Sequence, residues 1–163
     1  MKDISIATAQ FETRNGDKEY NFSRIEELSG RAAEQGARIV SFHEGCIPSY
    51  TFVRNLDKEE MFGLAEEVPS GQSTSRLIEI AARYNIAVLA GLVEKEGDKL
   101  YNTYVCVTGE GMVARFRKLH PFVSKFLSAG NEYVVFALYG CKCCILICYD
   151  NHIIENVRAT ALL

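Results

Sequence analysis

Proline is scarce, three residues in 163, and no Gly- or Pro-rich tract, low-complexity segment or internal repeat breaks the chain. Neither a linker nor a disordered arm is therefore expected. Nowhere do about 18 uncharged apolar residues run together, the length a membrane-spanning helix needs. The opening MKDISIATAQF alternates apolar and polar positions instead of forming the continuous apolar stretch of a secretory leader. A membrane partner is set aside, and a cytoplasmic location is expected. An excess of basic charge is missing too, because the formal net charge is -3. That leaves no electrostatic footprint for nucleic acid or for an anionic membrane surface, and small molecules become the expected partners. Six cysteines are present, but Cys141, Cys143, Cys144 and Cys148 crowd into one short apolar run while Cys46 and Cys106 stand alone. A disulfide framework belongs to small loop-rich scaffolds, so reduced thiols are expected here.

What is present is the profile of one soluble globular domain over residues 1–163, with 48% hydrophobic and 24% charged residues. Ile4, Ile6, Ala7 and Ala9 read as a first strand, followed by a turn at Asn15-Gly16-Asp17. Phe22, Ile25, Leu28, Ala32 and Ala33 then fall on one face of a helix that ends near Gly36. Arg38–Phe42 reads as a second strand, Leu77–Tyr84 as a helix, and Ile86–Val93 as a strand apolar enough to be covered on both faces. Strands around Tyr101–Val107 and Met112–Phe116 form a hairpin through Gly109-Glu110-Gly111. After an irregular stretch come strands at Tyr133–Phe136 and Cys143–Ile147, and a last helix from about Asn151. The order of elements predicts one mixed α/β domain.

Three segments carry chemistry. In Ile145-Leu146-Ile147-Cys148-Tyr149-Asp150 an apolar strand ends in a cysteine at the start of a helix. A sharp strand-to-helix turn exposes a nucleophile, and a helix N-terminus favours its thiolate, with Asp150 or Asn151 as the cap. In Ser41-Phe42-His43-Glu44-Gly45 a carboxylate stands where a buried strand runs into a loop, a place suited to a general base of raised pKa. In Arg115-Phe116-Arg117-Lys118-Leu119-His120 a lysine follows a strand and can face a developing oxyanion. Each segment alone also reads structurally, as a buried cysteine, a solvated loop glutamate and a surface basic cluster. His43 and His120 read either as substrate contacts or as polar packing, and Tyr50, Phe52 and Phe122 as pocket lining or core. Cys141 and Cys144 have C-x-x-C spacing, but residues three apart on a strand point to opposite faces, so no metal site is expected.

The Glu, Lys, Cys order is accompanied by Ile6-Ala7-Thr8-Ala9-Gln10, Val68-Pro69-Ser70-Gly71, Val88-Leu89-Ala90-Gly91, Tyr101-Asn102-Thr103, Arg117-Lys118-Leu119-His120, Ser128-Ala129-Gly130 and Ile147-Cys148-Tyr149-Asp150. In this order the chain resembles the nitrilase superfamily of amidases, nitrilases and carbamoylases along essentially its whole length. The resemblance implies the N-terminal portion of an α-β-β-α sandwich. It implies catalytic roles for Glu44, Lys118 and Cys148, with Tyr149, His120 and Tyr50 at the substrate or oxyanion. It further implies a small-molecule amide, carbamoyl compound or nitrile as substrate, a thioester on the cysteine, and no metal or organic cofactor.

Two departures accompany the resemblance. Many family members carry a second glutamate in the loop after the lysine, but Phe122–Leu127 holds no acid and the next is Glu132. The chain also stops at Leu163, on the order of a hundred residues short of such a domain. From this, the sheet face of Ile86–Leu92 is expected to lie uncovered and to drive homo-oligomerisation. A catalytically inactive remnant or interaction module, and a thiol redox protein, are the competing function classes.

Overall fold

The computed structural model describes residues 3–163. A five-stranded sheet takes its strands in the order β1 (Ile6–Thr8), β2 (Ile39–Ser41), β3 (Ala87–Glu96), β4 (Lys99–Thr108), β5 (Gly111–Arg117). The first three are parallel and the last two antiparallel. Helices α1 (Lys18–Glu34) and α3 (Gln72–Tyr84) cover one face, and a short α2 (Lys58–Leu64) follows the β2 loop. A hairpin of β6 (Val135–Leu138) and β7 (Cys141–Cys144) forms a second sheet, and the chain closes with α4 (Ile154–Leu162). The chain is α/β, as its alternating periods predict.

Helix α1 begins at Asp17, whose carboxylate accepts the Tyr20 N–H at 2.9 Å, and buries Phe22, Ile25 and Ala32. Buried Asn21 lies on the same helix, and its Nδ2 donates to Arg14 O and, at 2.8 Å, to Ile47 O. That bond fixes the loop after β2 to the helix layer. On the sheet, Val88, Ala90, Leu92, Val105 and Val107 pack under the helices. Ala87, Tyr104, Cys106, Ala114 and Phe116 pack with Leu138, Ile145 and Ile147 on the opposite face. Strand β3 is thus covered on both faces, as its unbroken apolar character predicts.

Several expectations require correction. The face of Ile86–Leu92 is not bare: Ile86, Ala87, Val88, Ala90 and Leu92 are all buried between the helices and the hairpin. Exposed apolar surface lies instead on edge strand β1 at Ile6, at Phe122 in the segment after β5, and on α4 at Ile154, Val157 and Leu162. The last strand is Cys141–Cys144 and not Cys143–Ile147, because the ladder with β6 ends at Val135 and Cys144. Ile145 and Ile147 are apolar because they fill the core, not because they pair. Helix α2, which hydrophobic periodicity passes over, is started by a capping box between Asp57 and Glu60.

The basic cluster after β4 divides in two. A bulge in the β4–β5 pairing between Cys106 and Val107 leaves Val113 without a partner, since Cys106 pairs Ala114 and Val107 pairs Met112. Met112 packs on the helix side, whereas Ala114 and Phe116 pack on the hairpin side. Lys118 continues that second alternation, while Arg115 and Arg117 face the other way. There they meet Glu94, which is 1% exposed and accepts from Arg115 Nη1 at 3.0 Å, Arg117 Nη2 at 2.5 Å and Thr103 Oγ1 at 2.6 Å. Glu94→Gln should destabilise the protein by about 3 kcal/mol in urea unfolding, because it removes the buried charge that both guanidiniums share and leaves Arg117 only the exposed Glu96. Glu96→Gln, at an exposed carboxylate on the same Arg117, should have a much smaller effect. Equal effects of the two substitutions would count against the buried network.

Candidate active site

The segment after β2 leaves the sheet and turns back over β3. Phe42 N–H donates to Leu89 O at 2.9 Å and Ile47 N–H to Gly91 O at 3.1 Å, so residues between them lie flat against that strand. The contact requires glycine at 91, since a Cβ there would collide with Gly45 N. Gly45 itself has φ +60, which lets the chain reverse immediately after Glu44. The result is a carboxylate 13% exposed at the sheet end.

Glu44 Oε1 accepts from Lys118 Nζ and from Asn102 Nδ2, both at 2.6 Å. Neither bond uses Oε2, which remains available as an acceptor. Lys118 is 1% exposed. Its backbone is fixed on both sides, Lys118 N–H donating to Asn102 O and Gly130 N–H to Lys118 O. Its ammonium also lies 4.8 Å from the Phe122 ring centroid and 5.6 Å from that of Tyr50.

Cys148 opens a five-residue 3-10 turn, Cys148–His152, and holds φ +47, a strained backbone for a residue with a side chain. That conformation lifts the sulfur from the chain path, and the residue is exposed. Its thiol pKa is raised, by partial desolvation of the sulfur first and then by the Glu44 charge. The Lys118 ammonium and the Tyr149 N–H pull in the opposite direction without prevailing. The helix-stabilised thiolate expected from sequence is therefore corrected. The chain beyond the sulfur is one tight turn with little dipole, and of the two charges acting on the sulfur the anion has the larger effect. At neutral pH the site holds a thiol beside a base.

Of the residues singled out in the sequence, Glu44, Lys118 and Cys148 come together from three distant segments. Tyr50 joins them: burial first, then the Glu44 and Cys148 charges, push its phenol up to about 12, and its hydroxyl has no partner among the described residues. The Tyr149 backbone N–H stands at the sulfur, while its exposed ring contacts Phe122 and His120 edge-on and stacks on His152. His120, whose ring lies edge-on to that of Tyr149, lines a neighbouring cavity with Glu132, Tyr133 and Glu155. His43 packs against Phe11 at 5.1 Å, and Phe52 packs over Gly16, so neither enters the site. Asp150 does not cap its own turn; its carboxylate accepts the Leu119 and His120 N–H groups. Sequence reasoning gave no role to Asn102, although a polar side chain in the middle of a buried strand was a signal.

A cavity of about 350 Å³ opens beside the sulfur, lined by Glu44 and Cys148 together with Ser41, Tyr104, Ile145 and Asn151. Among the thiols, Cys144 and Cys148 are exposed, whereas Cys46 and Cys106 are fully buried and burial pushes both up to about 12. Limiting iodoacetamide at neutral pH should therefore modify Cys148 and Cys144 first and Cys46 and Cys106 last, read by peptide mass. Early modification of Cys46 or Cys106 would contradict the packing described here.

A thiol that shares a cavity with a carboxylate bonded to a buried ammonium is an arrangement able to attack an electrophilic carbon. The family model for carbon-nitrogen hydrolases matches residues 5–163, and the chain belongs to that family. Among its relatives, a nitrilase of Pyrococcus abyssi is 32% identical over 162 residues, covering 98% of this chain and 61% of that protein. An omega-amidase of Homo sapiens is 32% identical over 157 residues, covering 88% of this chain and 54% of that one. The structure of a cysteine-to-serine mutant of a Nesterenkonia amidase from the nitrilase superfamily superposes with a TM-score of 0.81 at 25% identity. It covers 97% of this chain and 61% of that chain. The chain thus spans roughly three fifths of the length of the proteins it matches.

Proposed function

We propose that this chain hydrolyses the carbon-nitrogen bond of a small amide through a thioester on Cys148. The observation that carries the reading is that Glu44, bonded to the buried Lys118 ammonium at 2.6 Å, lines one cavity with the Cys148 thiol. Glu44 takes the thiol proton as the sulfur attacks the amide carbon. The negative charge developing on oxygen meets the Lys118 ammonium and the Tyr149 N–H. Collapse of the tetrahedral species expels ammonia or an amine, which takes the proton held by Glu44. Water then enters, Glu44 removes its proton, and hydroxide attack on the thioester releases the acid and restores the thiol. Glu44 gives that proton to the departing sulfur, so each half-reaction returns it to its starting charge.

A nitrilase and a citrullinase stand among the relatives, but the omega-amidases, an (R)-stereoselective amidase and the matched Nesterenkonia structures are amidases, which favours an amide substrate. In a related Nesterenkonia amidase a glutamate-to-glutamine mutant carries an acrylamide adduct on its active-site cysteine. The glutamate and cysteine mutated in those structures are as far apart in sequence as Glu44 and Cys148 are here. A cavity of about 350 Å³ suits a small acyl group.

Hydroxylamine tests the reading directly. With butyramide as substrate, a thioester partitions between water and hydroxylamine, so butyrohydroxamate should accumulate as hydroxylamine is added while total ammonia release holds or rises. Ammonia release with no hydroxamate would rule out the covalent route, and no turnover across a panel of small amides would remove the amidase reading.

A further inference from the structure

We propose that Asp150 is a positioning residue, whose buried carboxylate ties the segment carrying Lys118 to the turn carrying Cys148 so that ammonium and sulfur keep a fixed separation. The inference rests on the function proposed above for its chemical consequence, and on geometry for the tie itself. Asp150 is 0% exposed and no cation pairs with it among the described residues. Its Oδ2 accepts the Leu119 N–H at 3.1 Å and its Oδ1 accepts the His120 N–H at 2.9 Å. These are the two amides directly after Lys118. Its own backbone is anchored in the Cys148 turn, Asp150 N–H donating to Ile147 O at 3.0 Å and Asn156 Nδ2 donating to Asp150 O at 3.2 Å.

The choice of side chain follows from the donors. Both groups facing it are N–H, so the position demands two acceptors on one short side chain, which only a carboxylate supplies. Asparagine would turn an NH2 against one of the amides, and serine would reach only one of them. A buried carboxylate without a cation is costly, and it persists here where the stretch from Leu119 to Ala129 has no regular structure beyond an isolated bridge at Leu127. The tie holds the two residues after Lys118, in addition to the backbone bonds of Lys118 itself with Asn102 and Gly130. Lys118 is in turn a group that lowers the Cys148 pKa, against the raising effects of burial and Glu44. The groups facing the sulfur are Glu44, Lys118, Tyr50 and the Tyr149 N–H.

The test measures the rate of Cys148 alkylation by iodoacetamide against pH, followed on the Cys148 peptide, in wild type, Asp150→Asn, Lys118→Met and the double variant. Asp150→Asn should slow alkylation at neutral pH by roughly threefold to tenfold, since the ammonium drifts from the sulfur and less thiolate forms. Lys118→Met should slow it too, and adding Asp150→Asn to it should cause no further loss. The sign is diagnostic, because simple removal of a nearby negative charge would favour thiolate and speed the reaction. A folded Asp150→Asn protein that alkylates as fast as wild type or faster overturns the proposal, as does full additivity in the double variant. If the variant does not fold, amide hydrogen exchange of the wild type decides. The Leu119 and His120 amides should exchange as slowly as those of β5, and fast exchange at both overturns the tie. Amide hydrolysis is read separately, so coupling of Asp150 to Cys148 without turnover keeps the positioning role and removes the amidase reading.

Discussion

Cys148→Ala should reduce amide hydrolysis to background, a loss of about ten-thousandfold or more, as removal of a covalent nucleophile from a cooperating set does. Glu44 and Lys118 remain in that variant, but neither can form the acyl intermediate. Because Cys148 is exposed and packs little apolar surface, its thermal midpoint should stay close to that of wild type. The control is Cys141→Ala, a half-buried thiol on β7 outside the cavity, which should keep its activity. Ammonia release and thermal unfolding measured on the same preparations separate chemistry from stability. Hydrolysis surviving in Cys148→Ala would sink the nucleophile assignment whatever the other variants do.

Glu44→Gln should show two effects of opposite apparent sign at one residue. Hydrolysis should fall by about a thousandfold, since no base remains to take the thiol proton or activate water. Alkylation of Cys148 at neutral pH should instead become faster, because the carboxylate that raises the thiol pKa is gone while the Lys118 ammonium that lowers it stays. Faster alkylation of Cys148 with no matching gain at the fully buried Cys46 and Cys106 separates that pair of results from a general loss of structure. The same substitution leaves the Lys118 ammonium, 1% exposed, without its counter-ion, at a cost of about 3–5 kcal/mol in urea unfolding. Adding Lys118→Met should recover part of that loss, because the orphaned charge is then removed. A double variant no more stable than Glu44→Gln alone would show that the pair is not coupled as its 2.6 Å geometry requires.

Much of the site was legible because chemistry-bearing residues stood at ends of elements with clear periods. Glu44 follows a buried strand and precedes a glycine, and Cys148 follows an apolar run, so both were visible as breaks in pattern. What stayed hidden depends on contacts between distant segments. The Arg115, Arg117 and Lys118 cluster could not be divided between two faces without the β4–β5 register. Asp150 was read as a local cap because a side chain capping its own turn is the common local option, whereas its partners lie 30 and 31 residues earlier. The direction of the Cys148 shift was misjudged for a related reason. The expected helix proved to be a 3-10 turn, and the charge that dominates comes from a loop far away in sequence. Apolar content located the core at Ile145 and Ile147 but could not distinguish packing from pairing.

The unpaired Val113 has a consequence for which insertions and deletions the chain can survive. Side chains alternate along a strand, so one residue more or less between the bulge and Lys118 would exchange the outlooks of Lys118 and Arg117. A guanidinium would then point toward Glu44 and an ammonium toward Glu94, with composition and charge almost unaltered. Homologous sequences that gain or lose a residue in this stretch should therefore do so in compensating pairs, whereas length variation in the preceding Gly109-Glu110 turn should be freely tolerated. The bulge works as a frame marker written into the backbone, and alignments that slide a gap across it would misassign the lysine.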